Sequence, residues 1–411
     1  MTTKNGCFRW MIVGLALRLA PTSYAVLFDA TPDASYNTNA PAGALTNSGW
    51  HYIGRFGTAQ ATAIAPFFVL TAKHLSVSTN FVLDGSNYTL STVYDDSHSD
   101  LRLCRSVTRL PRHAPLYVGT NEVGAPLLAF GRGRKRGNAV VTAGLTNGWK
   151  WGGADGIMRW GSNQVASIRQ AGGADCLYAT FDHGAGPDEC HLATWDSGGA
   201  AFACIDERWQ LAGVHYSVDG SFNQSTNNTT EFNAAIYDGY GLYMGSDNNW
   251  TLITNPVPSG FYSTRVSSRY AWITNIIPHF DSDVDGLPDW WEGRYGGSVQ
   301  GMDATHDADG DGANNLAEWI AGSDPTNTAS LFQIAAVWQT NDVDTLSFDG
   351  HTDRLYRVWQ RDLTLAPTTP WQSAVTGAFS GAGNPTYWSA TNTSPATPRF
   401  YRLGVTVPDG M

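Results

Sequence analysis

The sequence predicts an all-β protein interrupted by a short acidic region, and three observations carry that prediction. Short alternating or apolar runs recur from Gly49 onward, separated by Gly-rich turns. The composition agrees, because 44 Gly and 16 Trp among 411 residues, with 15% charged residues, suit a turn-rich β protein. The pattern then breaks near residue 280, where acidic repeats replace strands, and strand-like runs resume after 330.

The first 25 residues predict a cleaved secretory signal. Lys4 and Arg9 form a basic start, "WMIVGLAL" is apolar but too short to span a bilayer, and Ser23 and Ala25 supply small residues before a cut. The mature chain is therefore expected outside the cytoplasm, extracellular, cell-surface or periplasmic, with no membrane association after cleavage. Cleavage removes Cys7 and leaves Cys104, Cys176, Cys190 and Cys204. Four cysteines allow three pairings; Cys176 and Cys190 bracket a Gly-rich loop and form the favoured pair, against buried thiols as the alternative. Their spacing does not suit zinc.

Strands follow in order. "WHYIGRFGTAQATAIAPFFVLTAKHL" mixes alternation with an apolar run, and "NFVLDGSNYTLSTVY" places a "DG" turn between two strand-like pieces. "DLRLCRS", "NAVVTAG", "DCLYATFD", "GAAFACI" and "WQLAGVHYSV" continue the series, which implies a barrel or sandwich. Val266, Tyr270, Ile273 and Ile277 then recur at helical spacing and stop before Pro278. Residues 331–411 return to strands, with "RLYRVWQRDL" and "RFYRLGVTV" the clearest, and predict a small β-sandwich-like domain. The net charge of −11 argues against nucleic-acid binding, and the basic run "GRGRKRG" (131–137) reads as a solvated loop or linker.

A serine hydroxyl needs an adjacent base, and the base needs a group that fixes its tautomer. "FFVLTAKHL" puts His74 at a strand end, "HSDLRLCRS" puts Asp100 at a strand start, and "HLATWDSGGAAF" puts Ser197 in a tight turn. Each motif alone is commonly structural; the ordered set is far more specific.

These segments resemble the chymotrypsin-like (trypsin-fold) serine proteases over about residues 26–279. "VLTAKH" is similar to the family's His motif, "DLRL" to its Asp motif, "DSGGAAF" to its Ser motif, "WQLAGVHYS" to the strand lining the specificity pocket, and "FYSTRVSSRYAWITNII" to the closing strand and helix. The resemblance implies two six-stranded antiparallel barrels, a C-terminal helix and a polypeptide substrate. It also implies His74 as base, Asp100 as its orienter and Ser197 as nucleophile, with no cofactor for catalysis. The oxyanion-hole N–H groups would come from Trp195 and Ser197, where Trp195 stands in place of the family's Gly. Trp195 leaves two readings open, a working endopeptidase and a catalytically impaired protease-fold binding or surface module. His215, with His191 near the pocket base, implies a preference for acidic (Glu) side chains. The resemblance also implies a buried partner for Asp196, either the Val26 amine freed by signal cleavage or a side chain.

The acidic region matches D-x-D-x-D-G-x5-E twice. Asp281, Asp283, Asp285, the Leu287 carbonyl, Asp289 and Glu292 form one candidate set; Asp307, Asp309, Asp311, the Ala313 carbonyl, Asn315 and Glu318 form the other. Hard oxygen donors in this number predict two structural Ca²⁺ sites over residues 280–330. The loop-helix pattern resembles dockerin and thrombospondin type 3 repeats, which implies a calcium-dependent spacer and a protein or cell-surface partner for the C-terminal regions.

Overall fold

The computed structural model describes residues 26–227, 231–277, 279–362, 368–392 and 398–408, so the expected signal segment lies outside the described residues. The fold is all-β. Strands β1 (Ile53–Phe56), β2 (Ala59–Ala65), β3 (Phe68–Ala72), β4 (Asn80–Leu83), β5 (Ser86–Asp95) and β6 (Leu101–Ser106) close a barrel in the order β1-β2-β3-β6-β5-β4. β2 is buried at every position, and its small residues leave interior space for Phe56 and Phe81. Asp84 and Gly85 join β4 to β5 with positive φ at both, the paired left-handed turn that matches strand twist.

The second half contains β7 (Pro126–Gly131), β8 (Arg159–Gln164), β9 (Ser167–Ala171), β10 (Ala174–Thr180), β11 (Ala200–Ile205), β12 (Arg208–Val218) and β13 (Gly260–Arg265). They form a seven-stranded sheet, β8-β7-β11-β12-β13-β10-β9, rather than six separate strands in a closed ring. The difference has a local cause. β8 and β9 stand at opposite ends of the sheet, yet only Val165 and Ala166 separate them. The chain bends there and changes partner from β7 to β10. Counted as one bent strand, the pair closes the sheet with six. One core joins both halves, with Leu70 and Leu103 against Leu128, Phe130 and Phe202. Helix α1 (Tyr270–Ile276), shorter than the helical spacing implied, seals it through Ile273, with Val266 before it and Ile277 after it in the same core.

Two expectations are corrected. Cys104, Cys176, Cys190 and Cys204 are free thiols. Cys176 Sγ sits near the carbonyls of Ala171 and Ala174, whereas Cys190 packs on Gly161, so the favoured pair faces different neighbours. The basic run is not a solvated loop, because Arg134–Thr142 is a strand paired with Leu145–Ala154.

Each acidic loop leads into a short helix, α2 (Asp289–Tyr295) and α3 (Asn315–Ala321), and the two share a core of Leu287, Trp291, Ala304 and Trp319. In the tail, two sheets enclose Leu346, Phe348, Tyr356, Val358 and Trp388. Buried Arg354 donates to the carbonyls of Trp319 and Ile320, which satisfies the last turn of α3 and ties it to the tail.

Candidate active site and acidic loops

His74 follows β3 and Asp100 precedes β6, two strands that pair directly, so the sheet register brings their ends together. The Asp100 carboxylate grips His74 twice. Oδ1 accepts the His74 backbone N–H at 2.9 Å, and Oδ2 lies 2.6 Å from Nδ1. That contact favours a proton on Nδ1 and leaves Nε2 as the basic nitrogen. Tyr216 meets the imidazole edge-on, with ring centroids 6.0 Å apart.

Ser197 and His74 line one cleft of about 410 Å³, together with segments 192–196 and 215–218. Among the described residues no hydrogen bond joins Ser197 Oγ to His74 Nε2; such contacts often tighten only when substrate is bound. The backbone N–H groups of Trp195 and Ser197 donate no hydrogen bond among the described residues. Trp195 has φ 79°, the left-handed conformation that glycine usually supplies, and its ring is 48% exposed beneath the Arg134 guanidinium at 4.7 Å. The tryptophan therefore adopts a left-handed backbone despite its side chain.

Asp196 is buried and its carboxylate is held by backbone donors. Gly133 N–H binds Oδ1 at 2.6 Å, Ala193 N–H binds Oδ2 at 2.9 Å, and Val26 N–H adds a third bond. Burial still pushes its pKa up to about 7, despite those bonds. The glycines of the basic run have a role here. A Cβ at Gly131 would lie 2.0 Å from Asp196 Oδ1, and one at Gly133 would lie 2.8 Å from its Cγ. The resemblance had pointed to Val26 as a candidate partner of Asp196, but not to the Gly133 and Ala193 N–H groups; the alternation of Gly with Arg was the only trace of that part of the cradle.

The two histidines sit differently from expectation. His191 is fully buried, packs edge-on to Phe181 and Phe261, and is not part of the cleft wall. Burial pushes its pKa down. His215 borders the cleft, but its ring is buried, with Nδ1 2.9 Å from Ser263 Oγ. Burial pushes its pKa down to about 3. Both rings are neutral at pH 7 and neither offers a cation to an acidic side chain.

In the acidic loops, oxygens of Asp281, Asp283 and Asp285 lie within 4.8 Å of one another, and so do those of Asp307, Asp309 and Asp311. Asp281 accepts the N–H groups of Val284 and Gly286, and Asp307 those of Gly310 and Gly312, so equivalent turns form twice. Glu292 and Glu318 are both 0% exposed, and Oε2 of each accepts no hydrogen bond among the described residues. Burial pushes the pKa of Glu292 up to about 8 and that of Glu318 up to about 7. Asn315 also leaves a buried Oδ1 without a partner among the described residues. Asp289 also has a docking role. Its Oδ1 accepts Ser282 N–H at 2.7 Å and its Oδ2 accepts the Tyr270 hydroxyl at 2.6 Å, which docks the first loop on α1. Leu287 and Ala313 occupy the carbonyl positions, and their N–H groups bind Asp285 and Asp311.

No family model matches the chain, and no curated protein matches it. Similar solved structures include a variant of human heparin binding protein, 14% identical with a TM-score of 0.33, covering 56% of this chain and 93% of that one. Neuropsin, a serine protease of mouse brain, is 12% identical with a TM-score of 0.35, covering 56% and 96%. The Rv3671c protease of M. tuberculosis, in its inactive form, is 14% identical with a TM-score of 0.32, covering 59% and 98%.

Proposed function

We propose that the chain is an exported serine endopeptidase. One arrangement carries the reading: His74 clamped by Asp100, in the same cleft as Ser197 and two unengaged backbone N–H groups. In the mechanism, Ser197 Oγ attacks the scissile carbonyl while His74 Nε2 takes its proton. Asp100 holds the imidazole tautomer and stabilises the imidazolium. The N–H groups of Trp195 and Ser197 receive the developing oxyanion. His74 then returns the proton to the leaving amine, and water hydrolyses the acyl-enzyme by the same route.

Two further roles belong to this reading. The Val26 N–H beside Asp196 supports activation by the export cut itself, since cleavage after Ala25 would replace that amide with an ammonium. The unpartnered buried oxygens of Glu292, Asn315 and Glu318 support two structural Ca²⁺ ions held by the acidic loops. In the first loop Asp289 also docks the loop on α1, through Ser282 and Tyr270.

Trp195, in place of the family's glycine, is what keeps open the second reading, a catalytically impaired binding module. A fluorophosphonate probe separates the two. The processed protein should label at Ser197 and Ser197→Ala should not. Equal labelling of both would remove Ser197 from the mechanism, and labelling of neither would favour the binding module.

A further inference from the structure

The cleft borders Ser197, His74 and the segment carrying the Trp195 and Ser197 N–H groups, so on the serine endopeptidase reading it lies beside the acyl carbonyl and is placed to receive the side chain that precedes the scissile bond. Its walls are mostly apolar: Leu75, Trp151, Leu192, Ala193, Tyr216 and Val218. Trp151 comes from the hairpin strand Leu145–Ala154, outside both barrels, and packs with Leu27, Phe181 and Ala193. Its aromatic face is therefore fixed from behind by a core.

Charged groups around the cleft are all committed elsewhere. Asp196 is bonded to the N–H groups of Gly133, Ala193 and Val26. His215 is neutral and directed to Ser263. Arg134 stacks on Trp195 and donates to the Gly152 carbonyl, and it does not line the cleft. A Glu or Lys side chain entering this space would lose water and meet no counter-charge.

We propose that the cleft selects an uncharged apolar or aromatic side chain on the acyl side of the scissile bond, with Trp151 as the specificity-determining wall. This rests on the serine endopeptidase reading for its placement beside the nucleophile. It replaces the acidic preference that the two histidines implied. Thr194 and Ser217 add neutral polar groups to the rim, and the buried Trp151 Nε1 and His215 Nε2, without partners among the described residues, are neutral and supply no charge.

The test is one peptide series with Phe, Tyr, Leu, Ala, Glu or Lys at the cleavage position. Turnover is read on the processed protein, and affinity is read by calorimetry on Ser197→Ala. Phe, Tyr and Leu should exceed Glu and Lys by ~10²-fold or more. Trp151→Ala should weaken the Phe peptide ~10-fold through KM while leaving the Ala peptide nearly unchanged. Trp151→Phe keeps an aromatic wall, so it should retain the preference even where the alanine variant folds poorly. Glu or Lys matching Phe in affinity would overturn the proposal, as would no binding by any peptide. Loss of fluorophosphonate labelling with the apolar affinity order intact would sink the catalytic reading and leave this one standing.

Discussion

The cleft and the acidic loops both bury carboxylates, and they treat them in opposite ways. Asp196 is enclosed by the backbone of three separate segments, and glycines are placed so that those segments can approach. Glu292 and Glu318 are equally buried, yet each keeps an oxygen that no described residue approaches as a donor. A buried carboxylate without a donor is costly, so it survives where something outside the chain completes it. The cleft is complete in protein atoms, apart from the charge that a free Val26 amine would add. On the proposed reading, a cation completes the loops.

The largest expected effect breaks the comparison at the Val26–Asp196 contact. A processed chain starting at Val26 should exceed a chain retaining Ala25 by ~10²–10³-fold in kcat/KM, since Asp196 braces the turn that aims the Trp195 and Ser197 N–H groups. The pH dependence has a definite sign. Burial lifts Asp196 from its ordinary 3.8 to about 7 when amides are its only partners. A carboxyl raised in the folded state gives stability that is present at acid pH and lost as pH rises through about 7. An ammonium at Val26 offsets that loss. Melting temperatures of the two chains should therefore diverge as pH climbs from about 5 to about 8. Coincident melting curves and equal activity would show that Val26 does not complete Asp196.

Much of this was legible in the sequence because it depends on local pattern. The "DG" hairpin, the helical face of Val266, Ile273 and Ile277, and the repeated aspartate spacing are all short-range signals. Asp100 opening an alternating strand and His74 ending an apolar one were also readable. Their contact was not, because it requires the pairing of β3 with β6. The cradle around Asp196 joins residues 26, 133 and 193, and spacing alone cannot indicate such a meeting. The burial of the two histidines was not legible for the same reason. Whether an imidazole faces a cleft or a core depends on what packs over it, and Phe261 packs against both rings.

Calcium withdrawal should give the next largest effect and sharpen the contrast between the loops themselves. A metal bound by the folded state alone adds about 2.7 kcal/mol per site at a hundredfold excess over Kd. EDTA should lower the melting transition of the loop-helix region while the cleft keeps its activity at 25 °C. The first loop is braced on the barrels, whereas among the described residues the second is braced only beyond its last ligand position, where Arg354 ties α3 to the tail. Arg208 lies 3.4 Å from Asp283, Ser282 and Tyr270 hold Asp289, and the Ser282 carbonyl accepts the Leu116 N–H. Hydrogen exchange in EDTA should therefore rise more across 307–318 than across 281–292. Glu318→Gln should reproduce the larger response and Glu292→Gln the smaller, since glutamine cannot supply a bidentate carboxylate. Equal exchange in both loops would show that docking on the barrels does not substitute for the ion.

The smallest effect concerns Trp195. A non-glycine residue in the left-handed region costs ~1–2 kcal/mol, and Trp195→Gly removes that cost. The same change loses the Arg134 stacking, worth ~0.5–1 kcal/mol at an exposed site, and adds backbone freedom to the unfolded chain. The terms oppose one another, so stability should move by less than about 1 kcal/mol. Catalysis gives the cleaner reading. If the N–H at 195 is already turned toward the oxyanion, as φ 79° allows, glycine has little to correct. The kcat on a small ester should then stay within about tenfold of the parent, equivalent to about 1.4 kcal/mol. A rise of ~10²–10³-fold would mean that the tryptophan misaims its donor. The chain would then be an impaired protease held back by a single side chain.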